Sequence, residues 1–324
     1  MNEVLALRHR PKTFGQMIGQ DNVVRQLQSA LETQTLGHAL LFCGPRGTGK
    51  TTAARIVARD LNPGLTDVEL PMVITEIDAA SNTGVDNIRE IIENLRYSTR
   101  GHKVVILDEA HMLSKNAFNA LLKTLEEPPP GVAFILVTTE PHKLIPTVVS
   151  RCQRYEFTEI DRETLEDYYN SIVDIENLGD VISKDAVYGI ALKAEGSVRD
   201  GLSILQKSLS GETAVDNTKS YFELVGAIYG QDVTTALSLV SELRKAEEAR
   251  VIIQTLEKWF YWCSIETFGM KTPIREYFEG QTKLGFDLGH LQKLFEHCLD
   301  IERSFTATPN SKTVLEMGVI KLCL

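Results

Sequence analysis

The stretch GPRGTGKT, residues 44–51, sets Gly44, Gly49, Lys50 and Thr51 in the spacing G-x-x-x-x-G-K-[ST]. That spacing suits one kind of chemistry. Glycines let backbone N–H groups close around phosphate oxygens, a helix opening at once adds the positive end of its dipole, and the lysine reaches the β- and γ-phosphates. Thr51 then offers a hydroxyl to Mg²⁺. A second apolar run, VVILDEAH, ends in Asp108 and Glu109. An acid at the end of a strand beside a phosphate loop holds the Mg²⁺ water shell, and the glutamate after it polarises an attacking water. Thr138 and Thr139 close the next run, VAFILVTTE, where a hydroxyl orients water or senses the γ-phosphate, although β-propensity alone also selects threonine. These segments predict ATP hydrolysis. His111 reads as a structural or coupling residue. Arg199, in EGSVRDGLS, opens a later helix, and its guanidinium either reaches phosphate across a cleft or pairs with Asp200 or Glu195 at the surface.

Such residues need a scaffold to bring them together. Up to about residue 160, apolar runs (HALLFC, MVITEIDA, KVVILDEA, VAFILVTTE) alternate with helical patterns (TTAARIVARDL, VDNIREIIENLRY, KNAFNALLKTLEE). Strands that are apolar throughout and separated by helices imply a parallel sheet covered on both faces, so the class is α/β. After YEFTEID the chain reads as helix after helix, with DVTTALSLVSELRKAEEARVIIQTLEKWFYWCSIETF as one long helical run. Polar breaks at 210–217 and 229–232 divide this half. The expected domains are 1–160, 161–226 and 227–324.

Composition sets the outer limits. With 324 residues, 43% hydrophobic and 24% charged, the chain can bury real cores. A net charge of −10 excludes a protein whose whole surface attracts nucleic acid, while leaving room for a small basic patch. Five scattered cysteines with no C-x-x-C pair suggest neither a disulfide framework nor a zinc site, and fit a reducing cytosol. No apolar run is long enough for a signal peptide or a membrane span, so a soluble, cytoplasmic protein without a membrane partner is expected.

RHRPKTFGQMIGQ, the phosphate loop, EIDAASNTGVDNIREI, DEAHMLSKNAFNALLKTLEEPP, VTTEPHKLIPTVVSRC and GSVRDGLS together resemble the motor subunit of bacterial sliding-clamp loaders, the gamma/tau type of the AAA+ ATPases. The resemblance is dense to about residue 208 and thin beyond it, where MGVIKLCL is similar to the last helix of the family's third domain. It implies a fold: an AAA+ P-loop domain, a small helical lid and an all-α collar that holds a ring of five subunits. It also implies residues. Gly44 to Thr52, including Arg46, Gly47, Thr48 and Thr52, would be the Walker A loop. Asp108 and Glu109 would be Walker B, with Thr51 and Asp108 holding Mg²⁺. Thr139 would be sensor 1 and Arg199, beside Val198, sensor 2. Ala6, Arg10, Pro11 and Ile18 match positions lining the adenine and ribose pocket. Arg151 of Ser150-Arg151-Cys152 would act in trans, on ATP held by the next subunit.

Two departures stand out. NPGLTDVELP replaces the four-cysteine module usual after the P-loop helix, so no zinc is expected. Asn82 and Gly84 stand where relatives often carry DNA-facing basic residues, so phosphate contacts are expected from elsewhere, with Lys123, Lys143 and backbone N–H groups at helix starts as the candidates. A tau-like C-terminal extension is also not expected. The implied function is ATP-driven opening of a ring-shaped clamp and its placement on primer-template DNA, in company with other loader subunits and copies of the chain, in a bacterial or phage replisome. Two alternatives are a non-hydrolysing structural subunit and another AAA+ DNA motor such as a branch-migration helicase. Intact Lys50, Asp108 and Glu109 weigh against the first. The Ser-Arg-Cys motif and the helical third domain weigh against the second.

Overall fold

The computed structural model describes residues 4–81, 84–95, 101–182, 184–209, 217–245, 247–270, 272, 274, 285–307 and 310–324. Asn82 and most of the expected break at 210–217 lie outside the described residues. The chain forms two compact units, Met1–Glu212 and Thr213–Leu324.

In the first unit, β1 (Ala39–Cys43), β2 (Ile74–Asp78), β3 (Lys103–Asp108), β4 (Val132–Thr138) and β5 (Gln153–Glu156) form one sheet in the order β2-β3-β4-β1-β5, each neighbouring pair parallel. The side-chain period of two divides every central strand between two layers. Leu40, Phe42, Val104, Ile106, Ile135 and Val137 face one apolar core with Val23 and Leu27 of α2 (Asp21–Glu32) and Ala53, Ala54 and Val57 of α3 (Lys50–Asp60). Their alternates Leu41, Val105, Leu107, Phe134 and Leu136 face the other, with Ile88 of α4 (Val85–Asn94) and Phe118 and Leu121 of α5 (Lys115–Glu126). Each such side chain withdrawn fully from water contributes about 1.5–3 kcal/mol, which fixes the sheet as the rigid floor of the unit. Because all strands run one way, the loops after β1, β3 and β4 emerge on the same edge.

The short helices α1 (Leu5–Arg8) and α6 (Pro146–Val149) flank this core, and α7 (Arg162–Ile175), α8 (Lys184–Lys193) and α9 (Val198–Leu209) follow it. Leu165, Tyr169, Ile172, Ile190, Leu202 and Leu205 make their apolar centre, and Leu5 of α1 is buried in the same cluster. Caps set the starts of three helices: the side chains of Ser114, Asp161 and Ser197 accept from the backbone N–H of Ala117, Thr164 and Asp200.

The second unit holds α10 (Thr218–Tyr229), α11 (Val233–Leu243), α12 (Ala249–Thr267), α13 (Leu288–Ala307) and α14 (Ser311–Leu322) around Trp259, Phe260, Leu256, Val240, Leu291 and Leu315. Two sequence expectations shift here. The third domain was expected from 227, whereas the units part at 212/213, because α10 runs unbroken through position 226 and buries Tyr221, Leu224, Val225 and Ile228 in the second core. The long helical run from Asp232 is two helices, α11 ending at its cap Arg244 and α12 starting after Glu248. No helix among the described residues is long and apolar enough to cross a membrane.

Candidate nucleotide site

The loop 44–49 leaves β1 and delivers the chain into α3, whose first residue is Lys50. Two of its glycines are dictated by what surrounds them. A Cβ on Gly44, at φ +143°, would stand 2.1 Å from the carbonyl oxygen of Phe157, and one on Gly47, at φ +73°, would stand 1.8 Å from Ser197 Oγ. The second contact matters for the site. The Val198 N–H donates to the Gly47 carbonyl at 3.1 Å, so the first turn of α9 rests on the phosphate loop.

Lys50 is buried, and its ammonium donates to the carbonyls of Gly44 (2.8 Å) and Pro45 (2.5 Å). Burial lowers its pKa, and the carboxylates of Glu109 and Asp108 work against that lowering. Thr51 donates its hydroxyl to Asp108 Oδ2 at 2.9 Å. Burial raises the Asp108 pKa, opposed by that hydrogen bond and by one at 3.0 Å from the Glu109 N–H, with the nearby Glu109 and Glu76 charges adding to the rise. An alcohol and a desolvated carboxylate facing each other at the foot of a helix form a hard oxygen donor pair, which fits Mg²⁺.

Glu109 has left-handed backbone, φ +47° and ψ +46°, uncommon for a residue with a side chain. It turns the chain sharply off β3. Thr139, just past β4, donates its hydroxyl to Glu109 Oε2 at 3.1 Å, across the ends of the adjacent strands β3 and β4.

A cavity of about 390 Å³ opens over this edge. Of the sequence-predicted residues, Arg46 to Thr52 line its floor with Asp108 and Glu109. Ala6, Arg10, Pro11 and Ile18 form one wall, and Val198 and Arg199 form another. Arg10 is partly desolvated, and burial followed by the charge of Arg55 lowers its pKa, with Arg199 acting the same way and Glu76 and Asp108 opposing. Gly44 and Thr139 stand just behind the lining, hydrogen-bonded to Lys50 and Glu109.

Three further predicted residues stand away from the cavity altogether. Arg151 lies after α6 with its guanidinium on Glu126: Nε is 2.7 Å from Oε1, a second nitrogen bonds the same oxygen, and a third donates to the Thr147 carbonyl at 2.7 Å. Within its own chain, Arg151 therefore has a surface carboxylate as partner. Lys143 pairs with Glu140 at 2.7 Å, and Lys123 is exposed on the last turn of α5.

The cavity also has lining to which the sequence pattern assigned no role. His9, Gln16 and Met17 extend the α1 wall, and Tyr168, Leu202 and Ser203 complete the α7–α9 side. His9 is fixed there by Glu176, whose Oε1 lies 2.6 Å from Nε2, and its carbonyl accepts from the Tyr168 hydroxyl at 3.3 Å. No spacing rule joins residues 9, 168 and 203. Only the packing of α1 against α9, with the Leu5 N–H donating to Gln206 at 2.9 Å, does so.

A family profile described as DNA polymerase III, delta subunit, matches residues 19–161. The DNA polymerase III subunit gamma of Buchnera aphidicola is 30% identical over 98% of this chain and 97% of its own length. The chain belongs to the DNA polymerase III gamma/tau family. Subunit tau of Bacillus subtilis is 40% identical over 72% of the chain and 46% of its own length, and that of Escherichia coli is 38% identical over 77% and 41%. This gamma/tau-family chain thus spans less than half the length of the tau relatives. Among solved structures, the RuvB Holliday junction branch migration motor of Thermotoga maritima matches with a TM-score of 0.50 and 25% identity, covering 61% of this chain and 64% of that one. The expected fold, an α/β P-loop unit of AAA+ type followed by helices, is the one observed.

Proposed function

We propose that this gamma/tau-family chain is an ATPase motor subunit of a sliding-clamp loader, working in the cytoplasm. One observation supports this above the others: a buried lysine, a Thr-Asp donor pair and a Thr-held glutamate meet at one edge of the sheet, under a cavity of about 390 Å³. That volume falls within the range of small-molecule sites.

ATP enters with its phosphates over the N-terminus of α3. The N–H groups of residues 46–52 receive the phosphate oxygens, and Lys50 turns from its loop carbonyls to the β- and γ-phosphates. Ala6, Arg10, Pro11, Ile18 and Val198 enclose the base and ribose. Thr51 and Asp108 would hold Mg²⁺, which neutralises charge on the phosphate oxygens. Glu109 accepts a proton from the attacking water, Thr139 fixes the carboxylate, and Arg199 brings positive charge from α9, the lid. Arg151 serves the neighbouring subunit. The second unit acts as collar in a ring with other loader subunits, five by family resemblance. Lys123 and Lys143 contact DNA phosphates, and the cycle places the ring-shaped clamp on primer-template DNA.

Two substitutions in the assembled complex test the reading. Lys50→Ala removes the main point charge on the phosphates, so ATP binding falls sharply. Glu109→Gln keeps the Asp108 donor, so ATP still binds and the clamp is captured, while turnover falls by roughly 10²–10⁴-fold. Hydrolysis by Glu109→Gln at the wild-type rate would show that another group is the base.

A further inference from the structure

His111 lies three residues past Asp108, in the turn Ala110–Met112, and its side chain is only 7% exposed. Every polar edge of the ring is occupied. Nδ1 is 3.0 Å from Thr138 Oγ1 and 3.4 Å from Glu109 Oε2, while Nε2 is 3.4 Å from Glu140 Oε1. Thr138 is fully buried, and its hydroxyl oxygen also accepts from the Glu140 N–H at 3.0 Å. Glu140 continues the chain outward to Lys143 Nζ, 2.7 Å away, and to His142 Nε2 at 3.7 Å, both exposed on the turn Pro141–Lys143.

We propose that His111 is a positioning residue for Glu109, linking the base to the surface turn Pro141–Lys143 through Glu140. This inference rests on the reading of Glu109 as the base. The chemistry of the contacts sets the arrangement. Thr138 Oγ1 holds Nδ1 by a hydrogen bond, and the carboxylates of Glu109 and Glu140 stand 3.4 Å from the two ring nitrogens, so the imidazole bridges the two acids. The ring is then locked in plane between β4 and the β3 turn. Packed there, it limits where Glu109 Oε2 can go, on the oxygen that Thr139 also holds. No hydrogen bond to Glu109 Oε1 occurs among the described residues, which leaves that oxygen to face a water.

The outer half gives the link a direction. Lys143, by its hydrogen bond and then its charge, keeps the Glu140 carboxyl below its ordinary pKa, with His111 and His142 contributing in the same sense. A phosphate that draws Lys143 away leaves Glu140 free to pull on Nε2, and the ring moves with it. A shift of one ångström at a catalytic group is enough to change a rate by about 10²-fold. An anionic ligand at the turn thus changes the aim of Glu109 without touching the nucleotide.

The assembled loader, with clamp and primed DNA, is the system in which to test this. His111→Ala is expected to lower kcat by about 10–10²-fold while the Kd for ATP stays within about twofold, because no contact to nucleotide is lost. His111→Gln, whose amide can donate toward Glu140, recovers a substantial part of kcat. Glu140→Gln lowers kcat alone but adds nothing in the His111→Ala background, since both act through one chain. Unchanged kcat in His111→Ala, equal losses in kcat and ATP affinity, or additive effects of the Glu140 and His111 substitutions each overturn the proposal. Glu109→Gln separates the two readings: if it is inactive while His111→Ala is fully active, the positioning role fails and the base survives. If Glu109→Gln is itself active, the base assignment fails first.

Discussion

Asp108 carries its charge at a cost, and that cost has a measurable sign. Its folded pKa lies above the ordinary 3.8, chiefly through burial. For a carboxylate the unfolded chain then loses its proton first, so stability declines as pH rises from about 4 through the raised folded value. Asp108→Asn removes the desolvated charge and keeps an oxygen to accept from the Glu109 N–H. Without nucleotide, the variant is expected to melt a few degrees above the parent at pH 7, with the gap closing as the pH falls toward 4. With Mg²⁺ and ATP the order reverses, because only the parent gains a metal ligand. Thermal melts at pH 4.5 and 7 with and without Mg²⁺·ATP check both signs, and a lower nucleotide-free melting point at pH 7 would refute the burial argument. At this scale the chemistry was legible where neighbours in sequence are neighbours in space. Residues 44–52 form one turn and helix start, and Asp108 and Glu109 one strand end. His9 and Ser203 lie inside RHRPKTFGQMIGQ and GSVRDGLS but draw no role from them, Tyr168 lies in no quoted motif, and Glu126 as the partner of Arg151 follows only from the packing after α6.

At the scale of elements, the join between the phosphate loop and α9 does two jobs. It fixes the loop through the Val198 N–H, and it places Val198 and Arg199 over the cavity. Gly47→Ala drives a Cβ to 1.8 Å from Ser197 Oγ at a φ of +73°, so α9 must lift or the loop must deform. Nucleotide affinity is expected to fall at least tenfold, and the first unit to lose stability. Ser197→Gly clears the nearest obstacle, leaving Cα at 3.4 Å, and itself loses only the cap bond to Asp200, roughly a few tenths of a kcal/mol for a serine-to-glycine change. The double variant should therefore bind ATP better than Gly47→Ala alone, short of full recovery because the left-handed strain of about 1–2 kcal/mol remains. Calorimetry on the four proteins decides it, and no gain in the double variant would show that the loop, not the lid contact, sets affinity. The same scale shows why some elements escaped a sequence reading. β1, β3 and β4 are apolar on both faces and announce themselves, whereas β5 (QRYE) buries only Tyr155 as an edge strand. In α2 the stripe Val23, Val24, Leu27, Ala30 and Leu31 has helical spacing, and it went unread between two recognised motifs.

At the scale of the whole molecule, the trans role proposed for Arg151 requires a second copy or a related subunit. Arg151 stands away from its own cavity, bonded to Glu126, with 34% and 47% of the two side chains exposed. An exposed pair of this kind is worth about 0–1 kcal/mol, so leaving it for a γ-phosphate on a neighbour is inexpensive. A guanidinium supplied that way stabilises charge on the transferring group and makes hydrolysis report on assembly, with roughly 10³–10⁵-fold in rate at stake. Arg151→Ala is thus expected to leave ATP binding by its own P-loop nearly intact while hydrolysis by the assembled complex collapses. Arg151→Lys recovers little, since an ammonium lacks the planar fork of donors. The decisive measurement mixes two inactive chains, Lys50→Ala and Arg151→Ala, under conditions where they assemble together. Some interfaces then join the intact P-loop of the Arg151→Ala chain to the intact arginine of the Lys50→Ala chain, and those sites regain turnover. Glu126→Gln is the control: it frees Arg151 without touching any ATP site, so it should leave turnover at or above the parent level if the ion pair is only a resting place. Mixed assemblies that form and stay inactive, together with a Glu126→Gln chain as impaired as Arg151→Ala, would make the surface ion pair itself the reason for the arginine.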